Sequence, residues 1–213
     1  MYLFIADIHL RPGDLKQEQQ FISWLDMARK KADKVFILGD LFDFFYSGLE
    51  SRFDEVLNSL CNPKVYILPG NRDFLLSNLK KKGLNIITSE EVICDIHGTR
   101  VLLAHGHSLV RGDLGFYILH HLGWPIIRSM DRIVPAEIKD RFAKSMMNTS
   151  AIVRPPRARI PHDIAKIKKV DKIICGHLHR SVMEKGLIVL PAFLDEEAWL
   201  KWDEDGPRLE KKQ

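Results

Sequence analysis

The sequence has no apolar run of membrane-spanning length, no paired cysteines and no internal repeat. Its longest strongly apolar stretch without Asp, Glu, Lys or Arg is 14 residues, 114–127, against the roughly 20 that a membrane helix needs. Residues 1–7 carry no basic stretch ahead of an apolar one, which predicts that no secretory leader is present. Cys61, Cys94 and Cys175 fall at unrelated spacings without a C-x-x-C pair, which argues against a zinc ribbon, a dithiol redox motif or a disulfide scaffold. A reducing, cytoplasmic setting is the simplest expectation. No low-complexity tract interrupts the 213 residues, so the chain reads as a single domain, 1–213, carrying an insertion.

What is present is ordinary globular material: 46% hydrophobic and 28% charged residues, enough to build a core. The net charge of +4 is uninformative, but its distribution is not. From Arg128 to Lys172 there are 12 Lys and Arg against 5 Asp and Glu, a local excess of 7. Such a segment suits a phosphate-bearing substrate, a polyanion or an anionic membrane surface; a solvated helical face would also explain it.

Short apolar runs alternate with helical patterns in the first half, which predicts an α/β layer architecture. Strands are expected over 2–6, 35–38 and 65–68, and helices over 16–31 and 51–60. Phe21, Trp24, Leu25 and Ala28 share one face of the first helix. Residues 85–88, 92–96 and 100–104 read as a meander with Gly98 at a turn. Strands resume at 172–175, 187–190 and 198–202. Between them, about 113–169 reads as a helical cap punctuated by proline.

The chemistry lies at the strand ends. Five apolar runs stop at Asp7-Ile-His9, Gly39-Asp40, Pro69-Gly70-Asn71, His105 and Gly176-His177-Leu-His179. Ligands of α/β sheets bind beyond the carboxyl ends of strands, so these seven polar side chains are expected to converge. Imidazoles and carboxylates without thiolate suit Mn, Fe, Zn or Co rather than calcium. Seven donors are too many for one tetrahedral ion and fit a pair of ions about 3.5–4 Å apart, the arrangement that clamps a displacement at phosphorus.

In this order and spacing, with Gly39-Asp-Leu-Phe-Asp43, Gly70-Asn-Arg-Asp73 and His105-Gly106, the motifs resemble the calcineurin-like metallophosphoesterase family. The resemblance implies a β-sandwich of two mixed sheets flanked by helices, with a helical cap and two divalent ions, manganese foremost. It implies that Asp7, His9, Asp40 and His179 hold one ion and that Asp40, Asn71, His105 and His177 hold the other. Asp40, Asn71, Arg72 and His177 would be catalytic. Asp113, Phe116, Arg141 and Asn148 would join Asn71, Arg72 and His177 in touching substrate, and Asp43, Asp73 and His107 would support the set.

The wording is most similar to the branch that hydrolyses the pyrophosphate of a nucleotide-linked glycolipid in bacterial lipid A synthesis. That branch implies a cytoplasmic enzyme resting peripherally on the inner membrane. Arg72 carries the distinction, because many family members place a His there as general acid. Arg does not deprotonate in proteins, so it suits phosphate pairing and a leaving group that needs no proton. It could instead merely pair with Asp43 or Asp73. His107, where the family usually has Asp, and the basic segment leave a broader phosphodiesterase or nuclease as the alternative. A non-enzymatic binding module is disfavoured by the intact ligand set. The cap is apolar from Leu114 through Val134, suiting either packing on the sandwich or a groove for acyl chains.

Overall fold

The computed structural model describes residues 1–79, 81–110, 123–131, 133–135, 137–142, 145 and 159–212. Two mixed sheets face each other. In the first, β1 (Tyr2–Ile5), β2 (Lys34–Leu38), β3 (Val65–Leu68) and β4 (Asn85–Ile86) run parallel, and β10 (Ala198–Asp203) and β11 (Gly206–Lys211) add antiparallel strands beyond β1. The second has the order β5 (Glu91–Ile96), β6 (Thr99–Ala104), β7 (Lys172–Cys175), β9 (Leu187–Val189), β8 (Val182–Met183).

Alternation along each strand explains the layers. Phe4, Ala6, Phe36 and Leu38 point into the sandwich, where they meet Val101, Leu103, Ile174 and Ile188 of the other sheet. The rings of Phe4, Phe36 and Tyr66 form a stacked row across three strands. Leu3, Ile5, Val35 and Ile37 face outward, and α1 (Leu15–Lys31) and α2 (Asp54–Leu60) cover them. Burial on both faces is why these strands read as continuous apolar runs. The Asp14 carboxylate caps α1 by accepting from the Gln17 amide, and Phe21, Trp24, Leu25 and Ala28 form its buried face as expected. The second sheet's outer face packs on Ile160 and on α4 (Ile164–Ile167).

Three expectations need correction. Residues 85–88 do not begin a meander. β4 pairs in parallel with β3 in the first sheet, and the Asn85 amide donates to the carbonyls of Asn62 and Val65. Only β5 and β6 form the hairpin, with His97 and Gly98 at positive φ in its turn. Residues 51–60 are not one helix, since a single 3-10 turn, Glu50–Arg52, precedes α2. Finally, β8 and β11 went unforeseen: one has two residues, and the other opens on Gly206-Pro207 and alternates weakly. Between β6 and β7 the described residues include the helices α3 (Trp124–Met130) and α4 and a helical stretch at 137–142. No helix among the described residues is long and apolar enough to cross a membrane.

Candidate active site

The loops after β1 and β2 are zipped together. The Asp7 amide donates to the Gly39 carbonyl at 3.1 Å, those of Ile8 and His9 to Asp40 at 3.0 Å, and that of Leu10 to Leu41 at 2.9 Å. The loop after β3 joins through Asp73. Its fully buried carboxylate accepts from the amides of Gly70 at 2.6 Å, Leu41 at 2.7 Å and Phe42 at 3.3 Å. Burial and the nearby Asp40 charge push the Asp73 carboxyl up to about 7, against the backbone donors that favour its anion. The loop after β7 closes the ring, the His177 amide donating to Asp7 Oδ2 at 2.7 Å. Close approach explains the glycines. A Cβ at Gly70 would collide with the Asp40 carboxylate and backbone nitrogen, and one at Gly176 with the Asp7 carboxylate.

Five of the seven polar strand-end residues, Asp7, His9, Asp40, His177 and His179, have left-handed backbones with φ between 48° and 70°. Each such residue stores about 1–3 kcal/mol of strain, which the zipped loops hold in place. Strain of this kind gathers where side-chain aim matters more than backbone comfort.

The donor atoms fall into two groups, each lying within 4.8 Å: Asp7, His9 and His179, and Asp7, Asp40 and His105. Asp7 is therefore common to both groups by distance. In the first group, His9 Nε2 is 3.1 Å from His179 Nε2, which is 3.4 Å from Asp7 Oδ1. Asp7 Oδ1 is buried without a hydrogen-bond partner among the described residues. In the second, His105 Nδ1 is 2.9 Å from the Leu38 carbonyl, an acceptor, so this nitrogen carries a proton. Its Nε2 faces Asn71 Oδ1 at 2.9 Å and Asp40 Oδ1 at 3.5 Å. His105 Nε2, Asn71 Oδ1 and Asp40 Oδ1 thus converge on one point, where a cation would find three donors. Burial lowers His9 and pushes His177 down to about 4. Burial raises Asp7, but its contact with His179 and the positive potential of the three imidazoles outweigh this and hold it at about 2. His105 is raised, burial opposing and Asp40 and Asp7 favouring its charge. The donor set fits divalent metal at both groups.

A model of the calcineurin-like phosphoesterase family matches residues 2–181. The chain belongs to that family. As a calcineurin-like phosphoesterase it is a metal-dependent hydrolase, and the two donor groups are its candidate metal sites. It is similar to "UDP-2,3-diacylglucosamine hydrolase" of Photorhabdus laumondii, 29% identical over 84% of this chain and 81% of that one. The namesake of Escherichia coli O7:K1 is 27% identical over 86% and 83%. Among solved structures, the E. coli phosphoesterase Yfce overlays with a TM-score of 0.46 and 16% identity, covering 96% of this chain and 88% of that one.

Around the donors of this phosphoesterase, Arg72 is anchored rather than free. Its Nη1 donates to Asp43 Oδ1, its Nε lies 3.7 Å from Asp40 Oδ2, and its backbone amide donates to Asp40 Oδ1 at 2.9 Å. Asp43 also accepts from Arg11 Nε at 2.9 Å. Arg11 escaped the sequence reading, although its place two residues past His9 was a usable signal. His107 is buried, its ring 5.4 Å from that of His105 and 5.5 Å from that of Trp124. Trp124 in turn stacks flat on Phe74 at 4.4 Å. Arg141 is exposed on the helical stretch 137–142, whereas Asp113, Phe116 and Asn148 lie outside the described residues.

An apolar cavity of about 230 Å³ opens where the chain runs on from Asp43 and from Phe74. Phe44 and Leu75, neighbours in the chain of Asp43 and Phe74, form one wall, and Ile127, Met130, Val134, Ile138 and Phe142 form the other. A larger hollow of about 690 Å³, lined by Met1, Met27 and Trp199 among others, lies at the opposite end of β1, away from the donors.

Proposed function

We propose that this phosphoesterase hydrolyses the pyrophosphate of UDP-2,3-diacylglucosamine to UMP and 2,3-diacylglucosamine 1-phosphate. The observation that carries this reading is Arg72, held by Asp43 beside Asp40, on a loop that continues into an apolar cavity. A phosphate-reading cation next to an apolar cavity suits a substrate with a pyrophosphate head and acyl chains. The names of the similar proteins point the same way.

Asp7, His9, Asp40 and His179 would hold one ion, and Asp40, Asn71, His105 and His177 the other; the imidazole–carboxylate set suits Mn, Fe, Zn or Co, and Mn²⁺ is the ion proposed. Divalent ions held by these residues would supply Lewis-acid polarisation of a phosphoryl oxygen and a water made nucleophilic at neutral pH. The chain's own groups do the rest. The Arg72 fork pairs with phosphate oxygens as charge builds on them, and Asp43 fixes its direction. No side chain need protonate a leaving phosphate, which departs as a stable anion. Asp73 ties the loops of Asp40 and Asn71 into one unit, and His107 buttresses the ring of His105.

The exposed apolar side chains Ile126, Met130, Ile133, Ile138 and Phe142, together with Arg128 and Arg141, would let the protein rest on the cytoplasmic face of an anionic membrane. The test is a competitive assay with Mn²⁺, following products by phosphorus NMR. Release of UMP from the diacylated UDP-sugar should outpace cleavage of bis(p-nitrophenyl) phosphate and of single-stranded DNA. Preference for either of the latter overturns the assignment in favour of a broader phosphodiesterase or nuclease.

A further inference from the structure

The cap's described part is fastened to the sandwich by a polar cluster that the hydrolytic chemistry does not use. Asp131 is buried just past the end of α3. Its carboxylate accepts from the Ser47 amide at 3.0 and 3.3 Å and from the Ser47 hydroxyl. Lys139 Nζ lies 3.4 Å from Asp131 Oδ1 and donates to the Ser47 carbonyl at 2.8 Å. The same ammonium stands 5.4 Å from the centre of the Tyr46 ring. The Tyr46 hydroxyl donates to Asp140, which also pairs with Arg52 at 3.1 Å. Phe44 meets Phe142 edge to face at 6.2 Å. Apart from the Lys139–Asp131 contact, which lies within the cap, each tie joins the segment 44–52 to residues between 131 and 142.

The location of this cluster is informative. Tyr46, Asp131 and Lys139 line the apolar cavity along with Phe44 and Phe142. A buried ion pair is a poor way to stabilise a fold, since apolar side chains of similar volume commonly do as well or better. Its value is registry: the carboxylate is satisfied in one arrangement of the two segments and stranded in others. Sliding the cap segment against the 44–52 loop would widen or close the cavity, and would leave Asp131 unpaired as it did so.

We propose that Asp131 is a positioning residue that sets the depth of the apolar cavity, and with it the length of alkyl chain the enzyme accepts. The proposal rests on the assignment of that cavity to the substrate's acyl part. In this account Lys139 neutralises Asp131, Ser47 receives it, and Tyr46 with Asp140 braces the far side. Chain-length selection then resides in a polar latch behind the cavity as well as in the apolar side chains that touch the chain.

Calorimetric binding of n-alkylphosphonates, butyl through dodecyl, to the Mn²⁺-loaded protein reads the latch without turnover of any substrate. In the wild type, affinity should rise with chain length and then level off where the cavity is filled. Asp131→Leu should weaken dodecylphosphonate by roughly five- to thirtyfold, the scale of one lost buried polar tie, with a loss that shrinks as the chain shortens. Asp131→Asn keeps one acceptor for Ser47 and should fall between. Should Asp131→Leu not fold, Lys139→Met removes the counter-charge of the same carboxylate while Ser47 still donates to it, and should flatten the same dependence. An equal loss at every chain length, an unaltered plateau, or no chain-length dependence in the wild type overturns the proposal. Failure to turn over the diacylated UDP-sugar, with chain-length selection intact, would instead remove the substrate assignment and leave the latch standing.

Discussion

Replacing Arg72 separates its two possible duties, because the structure places it against Asp43 and near Asp40 together. Consider Arg72→Ala. For folding, the question is what becomes of Asp43, whose side chain is 4% exposed. A buried carboxylate left alone would cost about 3–5 kcal/mol. Asp43 is not left alone, since Arg11 Nε stays at 2.9 Å. The folding loss should therefore be near 1 kcal/mol, or roughly 2–4 °C in Tm for a chain of this size. For catalysis, loss of a preorganised donor to a developing oxyanion costs about 2.7–4 kcal/mol. The Arg72 side chain is 24% exposed, so solvent partly screens it and the lower part of that range applies. A loss of about 2.7–3 kcal/mol is roughly a 100- to 150-fold fall in kcat/KM on the diacylated UDP-sugar. Metal content, measured by elemental analysis, should be unchanged. Arg72→Lys should recover only part, because an ammonium lacks the fork. Arg72→His should restore little toward the pyrophosphate, yet cleave esters with poor alkoxide leaving groups better than Arg72→Ala. Equal pyrophosphate activity in wild type and Arg72→Ala, with the small Tm drop, would reduce Arg72 to a partner for Asp43.

Other perturbations test the metal assignment and the loop packing. Asp40→Ala should abolish nearly all turnover and deplete metal, because its carboxylate is the one expected to touch both ions; full metal content with near-normal rates would refute that role. His9→Ala and His105→Ala should each weaken a different one of the two sites, read as metal stoichiometry by titration. Gly70→Ala should cripple metal binding with only a moderate change in Tm, since its Cβ must displace Asp40; normal metal affinity would contradict the close approach. Saturating the chelator-stripped protein with Mn²⁺ at about 100 times Kd should add about 2.7 kcal/mol for each site filled, or roughly 5–10 °C in Tm per site. His179→Ala should remove much of that rise.

The site was more legible in the sequence than the sheets were. Asp7, His9, Asp40, Asn71, His105, His177 and His179 stand out because each interrupts an apolar run, and a parallel strand ends abruptly where its burial ends. β4 was misjudged because two residues cannot declare a partner: its parallel ladder with β3 is short, and the Asn85 side chain that reinforces it carries no periodic signal. The Asp131–Ser47–Lys139 cluster was illegible for a related reason. Ser47 is 84 residues from Asp131, and an Asp on a helical segment reads as a solvated residue until its neighbours are known. Arg72 was legible as chemistry, but its choice between Asp43 and Asp73 was settled only in three dimensions.

The left-handed backbone at Asp7, His9, Asp40, His177 and His179 also limits what this centre can become. Outside glycine, that region is occupied chiefly by Asn, Asp and His, and a β-branched residue is an outlier there. These are also residues that offer nitrogen or oxygen to a metal. The turn geometry thus filters the ligand alphabet before any ion is bound. A drift toward thiolate coordination, or the insertion of a Thr or Val that silenced one ligand, would have to rebuild the loop as well as change the side chain. Substitutions that keep the backbone are largely confined to exchanges among Asp, Asn, His and Gly. A directed-evolution search for altered metal preference in this scaffold should therefore find its viable variants at Asn71 and His105, whose φ angles are ordinary, before it finds them at the other five.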